Sequence, residues 1–138
     1  MPKMTPEDLY AFIERDFPQV IGFGMKIETL TDDDLILRLP VKTEHLRPGG
    51  TVSGPTLMTL ADAGFYLLLL GRLGPVALAV TTNLNINFLR KPAADRDVIA
   101  HARFPKLGKR LAVGDVTFTS EGSDEAVAHE VLTYSIPA

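Results

Sequence analysis

The chain has 138 residues, 46% of them apolar and 22% charged, the balance of one soluble globular domain with a real core, taken to span 1–138. A net charge of −3 leaves no basic footprint for nucleic acid, and the absence of cysteine excludes disulfide scaffolds, thiolate zinc sites and cysteine nucleophiles. The three histidines, His45, His101 and His129, are scattered without metal-ligand spacing, so no metal site is expected. The first ten residues, MPKMTPEDLY, contain no apolar h-region, which argues against a secretory signal. The apolar run Ala63–Gly71 is far short of the roughly 20 residues a membrane span needs. The expectation is a cytoplasmic protein with no membrane or nucleic-acid partner.

Thr5-Pro6-Glu7-Asp8 has the chemistry of a helix start: Thr as N-cap, Pro at the first helical position, acids in the first turn. Leu9, Phe12 and Ile13 follow at helical spacing, and Phe17-Pro18 ends the helix. Met25–Leu30 and Leu35–Leu39 are strand-like and joined by the acidic turn Thr31-Asp32-Asp33-Asp34. Residues 41–52 hold Pro48, Gly49 and Gly50 and read as loop.

A helix is expected from about Gly54 to Arg72. Leu57, Leu60, Ala61, Gly64, Phe65 and Leu68 recur at i, i+3, i+4 and i+7. Met58, Tyr66, Leu67, Leu69 and Leu70 make the other faces apolar too, so this helix should be buried on most sides. Four strand-like segments complete the chain: Val80–Leu89, Asp97–Phe104, Leu111–Thr119 and Ala126–Ile136. Lys91-Pro92, Leu107-Gly108-Lys109 and Glu121-Gly122-Ser123-Asp124 separate them. Such short turns favour antiparallel meander pairing. The fold class is α+β, one curled antiparallel sheet around a central helix.

Asp62 stands alone among the apolar residues of that helix. An unpaired buried carboxylate is expensive. Two explanations are open: a catalytic acid, or a structural one hydrogen-bonded to backbone or to Thr59.

Three segments, GGTVSGPTLMTLADAG at 49–64, VTTNLNINFLRKPA at 80–93 and LGKRLAVGDVTF at 107–118, together resemble the hotdog-fold thioesterases, in particular the PaaI-like acyl-CoA thioesterases of the 4-hydroxybenzoyl-CoA thioesterase superfamily. With the strand order, the resemblance covers most of the chain. In that family a motif close to His-Gly-Gly opens the central helix, and an Asp or Glu lies about two turns in. Ser53-Gly54-Pro55 stands at the entry here, and Asp62 stands at the position of the catalytic acid. An Asn often found some six residues before the entry falls near Arg47. The acid and the first Gly match; the His, the second Gly and the Asn do not.

The resemblance implies hydrolysis of an acyl-CoA thioester. Coenzyme A would enter as part of the substrate, with no separate cofactor. Such a reaction needs an oxyanion donor, which the Gly54 N–H at a helix N-terminus would supply. Pro55 has no N–H to add. It also needs a carboxylate acting as general base or as nucleophile. Gly54 and Asp62 are eight residues apart, about 12 Å along one helix, so they cannot serve one carbonyl from the same chain. An active Asp62 therefore calls for a homodimer with shared sites, and hotdog proteins do pair as dimers and often stack into tetramers.

Further candidates each carry a plainer alternative. Ser53 is a substrate contact or only an N-cap. Thr81 and Thr82 stand where the family often places a polar site residue, or are plain cross-strand threonines. Arg47 would line the entrance, whereas His45 is expected to be solvated. Arg90, Lys91, Lys109 and Arg110 would bind CoA phosphates, or are solvated strand-end charges. His101 and His129 read as structural. The helix wall of Met58, Phe65 and Tyr66 suits a medium-chain or aromatic acyl group, and Pro55 is a further candidate substrate contact. A non-catalytic hotdog protein that binds acyl-CoA is the alternative. A hotdog dehydratase is disfavoured, because no His lies within 46–100.

Overall fold

The computed structural model describes residues 2–75 and 78–137. Helix α1 (Pro6–Asp16) starts with the expected chemistry. The Thr5 hydroxyl accepts from the Asp8 N–H at 3.1 Å, and the Asp8 carboxylate accepts from the Thr5 N–H at 2.9 Å, a reciprocal capping box. Leu9, Phe12 and Ile13 are its buried face. Phe17 ends it, and Pro18 opens a second short helix, α2 (Pro18–Gly22), so the break is an elbow between two helices.

Strands β1 (Lys26–Leu30) and β2 (Asp34–Leu39) pair antiparallel. Their turn is tied by Thr31, whose hydroxyl donates to the Asp34 carboxylate at 2.6 Å and accepts from the Asp33 and Asp34 N–H groups. Leu35, Leu37 and Leu39 alternate inward, as their period of two requires.

Residues 41–52 are more ordered than a loop. A 3₁₀ turn (Thr43–His45) leads into a two-stranded ribbon, β3 (Leu46–Arg47) and β4 (Thr51–Val52). Gly49 and Gly50 turn the ribbon with φ of 100° and 77°. Two-residue strands leave no periodicity to read.

Helix α3 (Gly54–Leu73) is the centre of the molecule. Ser53 caps it, its hydroxyl accepting from the Thr56 N–H at 3.2 Å. At the other end the Gly74 N–H returns to the Leu70 carbonyl. Leu57, Leu60, Ala61, Phe65 and Leu67–Leu70 are all fully buried or nearly so. By length and composition alone α3 is apolar enough to cross a membrane, but most of it is enclosed within the molecule.

The remaining strands are β5 (Val80–Phe88), β6 (Val98–Leu107), β7 (Leu111–Ser120) and β8 (Ala126–Ser135). The sheet order is β1-β2-β6-β7-β8-β5, and every pair is antiparallel. This is a hotdog fold, one curled sheet wrapped around α3. The expected meander holds only for β6-β7-β8. Strand β5 pairs with β8, and the segment around Lys91-Pro92 is a crossover from one edge of the sheet to its interior. The Leu89 and Arg90 N–H groups still bond to Val127, so the chain leaves β8 only after Arg90. Strand β6 then enters beside β2, where Arg38 meets Asp97 at 2.9 Å.

Candidate active site

Asp62 is half-buried on α3. Its Oδ1 accepts two hydroxyl donors, from Thr81 at 2.6 Å and from Tyr134 at 2.7 Å. The Tyr134 hydroxyl also lies 3.0 Å from the backbone carbonyl oxygen of Asp62. Thr59 is not a partner, because its hydroxyl donates to the Pro55 carbonyl. Among the described residues no hydrogen bond reaches Oδ2. One carboxylate oxygen is thus fixed and the other is available to take a proton.

Tyr134 was not among the residues expected at the site. It faces inward from β8 and packs edge-on against Phe65, with ring centroids 5.2 Å apart, and stacks over Tyr66 at 6.4 Å. Burial and the neighbouring Asp62 push its phenol far above the ordinary tyrosine range, so it remains a proton donor. Thr81 leads in from β5, opposite Tyr134 in the register. Thr82 does not join them: its hydroxyl donates to the Thr133 carbonyl, the plain cross-strand role.

Asp62, Thr81 and Tyr134 line a cavity of about 720 Å³. Met58, Ala63 and Tyr66 of α3 line it together with Phe17, Val20 and Phe23 from the α1–α2 elbow and the turn after it, and Phe17 meets Tyr66 edge-on with ring centroids 6.0 Å apart. Asp16 and Gln19 also border it, so the space is mainly apolar with polar groups at its edge.

Gly54 opens on a different cavity, of about 480 Å³, at the N-terminus of α3. Arg47, Pro55, Phe88, Arg90 and Lys91 share it. Phe88 sits directly over Gly54, close enough that an added Cβ would meet the ring at 3.0 Å. Ser53 lines neither cavity and acts as the helix cap. The candidate phosphate-binding cations are divided. Arg90, ion-paired with Glu125, and Lys91 lie at the Val127 end of β8. Lys109 and Arg110 lie at its Tyr134 end, where the Arg110 carbonyl accepts from Ile136.

His45 is buried rather than solvated. Its Nδ1 accepts from the Lys42 N–H at 3.0 Å, which leaves Nε2–H to donate to the Phe23 carbonyl at 3.2 Å. His101 and His129 sit on the outer face of the sheet, bonded to Asp34 and Asp115. The Thr31 hydroxyl and then His101 hold the Asp34 carboxyl below its usual range. No group of three or more His, Asp or Glu side chains that could hold a metal occurs among the described residues.

The family model of the thioesterase superfamily matches residues 49–127. Acyl-coenzyme A thioesterase 13 of Homo sapiens is 27% identical over 116 residues, covering 83% of this chain and 80% of that protein. A protein from Silicibacter sp. TM1040, named only provisionally as a thioesterase, has a crystal structure with a TM-score of 0.91 and 46% identity, covering all of this chain and 95% of that one. A single-substitution mutant of the phenylacetic acid degradation protein PaaI from Thermus thermophilus is 30% identical with a TM-score of 0.76, covering 87% of this chain and 99% of that one.

Proposed function

The chain belongs to the thioesterase superfamily, a family of thioester hydrolases, and from that premise we propose that it hydrolyses an acyl-CoA carrying a medium-chain or aromatic acyl group. The observation that carries this reading is the Asp62 carboxylate, with Oδ1 held by Thr81 and Tyr134 and Oδ2 without a hydrogen bond, on the wall of a largely apolar cavity. As general base, Asp62 takes a proton from water while the water oxygen bonds to the thioester carbonyl carbon. The C–S bond then breaks, and the thiolate leaves with the proton that Asp62 received. As nucleophile, the same carboxylate would bond to that carbon, the C–S bond would break to release the CoA thiolate, and water would open the resulting anhydride to free the acid and restore the carboxylate. The acyl group would lie between α3 and the α1–α2 elbow.

The oxyanion donor in this proposal is the Gly54 N–H of a second protomer. Gly54 and Asp62 line separate cavities within one chain, which supports sharing. Among the described residues strand β5 is hydrogen-bonded on one side only, and Val80 and Phe88 at its ends are 56% and 54% exposed. Two β5 edges pairing antiparallel about a two-fold axis would set the Phe88–Gly54 end of one against the Thr81–Asp62 end of the other. The same pairing would join Lys109 and Arg110 of one protomer with Arg90 and Lys91 of the other around the CoA phosphates.

A second reading, an acyl-CoA-binding protein without turnover, draws on one observation: Pro55 follows Gly54, so the helix entry has no N–H at the position where the His-Gly-Gly entry of the resemblance has its second glycine. Thiol release from a panel of acyl-CoAs, measured with CoA binding, separates the two. Turnover by the wild type and a loss of about 10²–10⁴-fold in Asp62→Asn, at unchanged melting temperature, supports the hydrolase. Binding without release by the wild type on every ester supports the second reading instead.

A further inference from the structure

We propose that Glu130 is a positioning residue of the Asp62 site, a carboxyl sealed under α3 that must keep its proton for β8 to hold Tyr134 against Asp62. Along β8 the inward positions are Ala128, Glu130, Leu132 and Tyr134. Glu130 is wholly inaccessible to solvent, and neither carboxyl oxygen has a hydrogen-bond partner. Its neighbours in the register are Ile86 on β5 and Val116 on β7, both apolar. No cation or hydroxyl among the described residues answers it. A neutral carboxyl is tolerable in such a place, whereas a bare carboxylate is not.

The titratable groups on the packed elements offer no relief. On the side facing it they are Asp62 and Tyr66 of α3 and Tyr134 of β8; Arg72 of α3 pairs with Asp33, and His129 of β8 and Asp115 of β7 pair with each other on the outer face. The inward faces of β5 and β7 beside it carry Leu84, Ile86, Val116 and Phe118. Burial first, and the charge of Asp62 second, push Glu130 up to about 8. The folded chain therefore keeps a proton that the unfolded chain has lost above its ordinary value of 4.5. Between pH 4.5 and 8 unfolding releases that proton, so stability falls as pH rises through this window, about tenfold in the folding constant per pH unit. Above it Glu130 ionises within the fold. The new charge can be hydrated only if β8 lifts from α3, and Tyr134, two inward positions further along the same strand, then loses its bond to Asp62.

The activity half of this inference rests on Asp62 being the reactive carboxylate; the stability half does not. Glu130→Gln keeps the shape of the protonated side chain and cannot ionise. Melting temperature and thiol release are measured from pH 5 to 9.5 for both proteins. The expected result is equal kcat at pH 6, a reversible fall in wild-type kcat above about pH 8 that the variant lacks, and a variant melting advantage that widens from pH 5 to 8. An alkaline fall shared by the two proteins, or a melting difference that does not change with pH, overturns the proposal. Carboxyl ¹³C titration of Glu130 in the folded wild type decides the matter if the variant does not fold: a midpoint near the roughly 4.3 of a free glutamate overturns it as well. If no ester is turned over, the Asp62 reading fails alone and the melting profile still tests Glu130.

Discussion

Two hydroxyls converge on one oxygen of Asp62, and they come from different settings. Thr81 reaches in from an exposed edge strand, whereas Tyr134 is buried and braced by Phe65 and Tyr66. A hydrogen bond to a charged group contributes about 1.5–3 kcal/mol when buried and less when water competes. Tyr134→Phe should therefore lower kcat by about tenfold to a hundredfold with KM little changed, and Thr81→Val by less. Steady-state kinetics on one good acyl-CoA checks the order, and equal losses would argue against the distinction. Asp62 stood out in the sequence because an acid inside an apolar helix has no cheap structural excuse, and Thr81 was already among the candidates. Tyr134 was not legible. It reads as one more inward aromatic of an alternating strand, and its partner is 72 residues away. Glu130 did leave a signal, an acid at an inward position between Ala128 and Leu132, which the parity of β8 exposes once it is followed residue by residue. His45 misled because a His in a Pro/Gly-rich loop gives no sign that both ring nitrogens meet backbone.

At the scale of elements, the inward face of β7 makes room for the central helix at one residue. Gly114 faces the Phe65 ring, and a Cβ there would lie 2.4 Å from Cδ1. Phe65 is fully buried and held edge-on by Phe104 and Tyr134, so the ring has nowhere to move. Gly114→Ala should destabilise the fold by about 1–3 kcal/mol, read as a lower urea midpoint at unchanged m-value. Because Phe65 also braces Tyr134, kcat should fall with it. The helix and each long strand were legible from periodicity and turn chemistry, to within a few residues at their ends. Strand order was not. A short polar segment such as Leu89–Asp97 looks alike whether it closes a hairpin or carries the chain across the sheet. What separates the two is the partner of β6. Strand β2 accepts it along a six-residue register and leaves β5 at the far edge.

At the scale of the molecule, the eight-residue separation of Gly54 and Asp62 has a consequence that can be tested without a structure of the assembly. If each site takes its base from one protomer and its N–H from the other, two differently broken chains can repair each other. Gly54→Pro removes the N–H. The first position of α3 tolerates proline, Ser53 is already extended at φ −72° and ψ 151° as a residue before proline should be, and the half-exposed Phe88 can swing aside; because position 54 itself precedes Pro55, a melting curve first establishes that the variant folds. Asp62→Asn removes the base. Each variant alone should be nearly inactive. In a mixed dimer one site carries both defects and the other carries neither. Random mixing at equal amounts makes half the dimers mixed, so about a quarter of the wild-type sites should reappear. Thiol release from co-refolded variants, compared with the two refolded separately and then combined without exchange, reads this directly. Recovery in the first sample alone places Gly54 and Asp62 of different chains at one thioester. No recovery, with dimers present by light scattering, would confine each site to a single chain and leave the oxyanion donor to be found beside Asp62 itself.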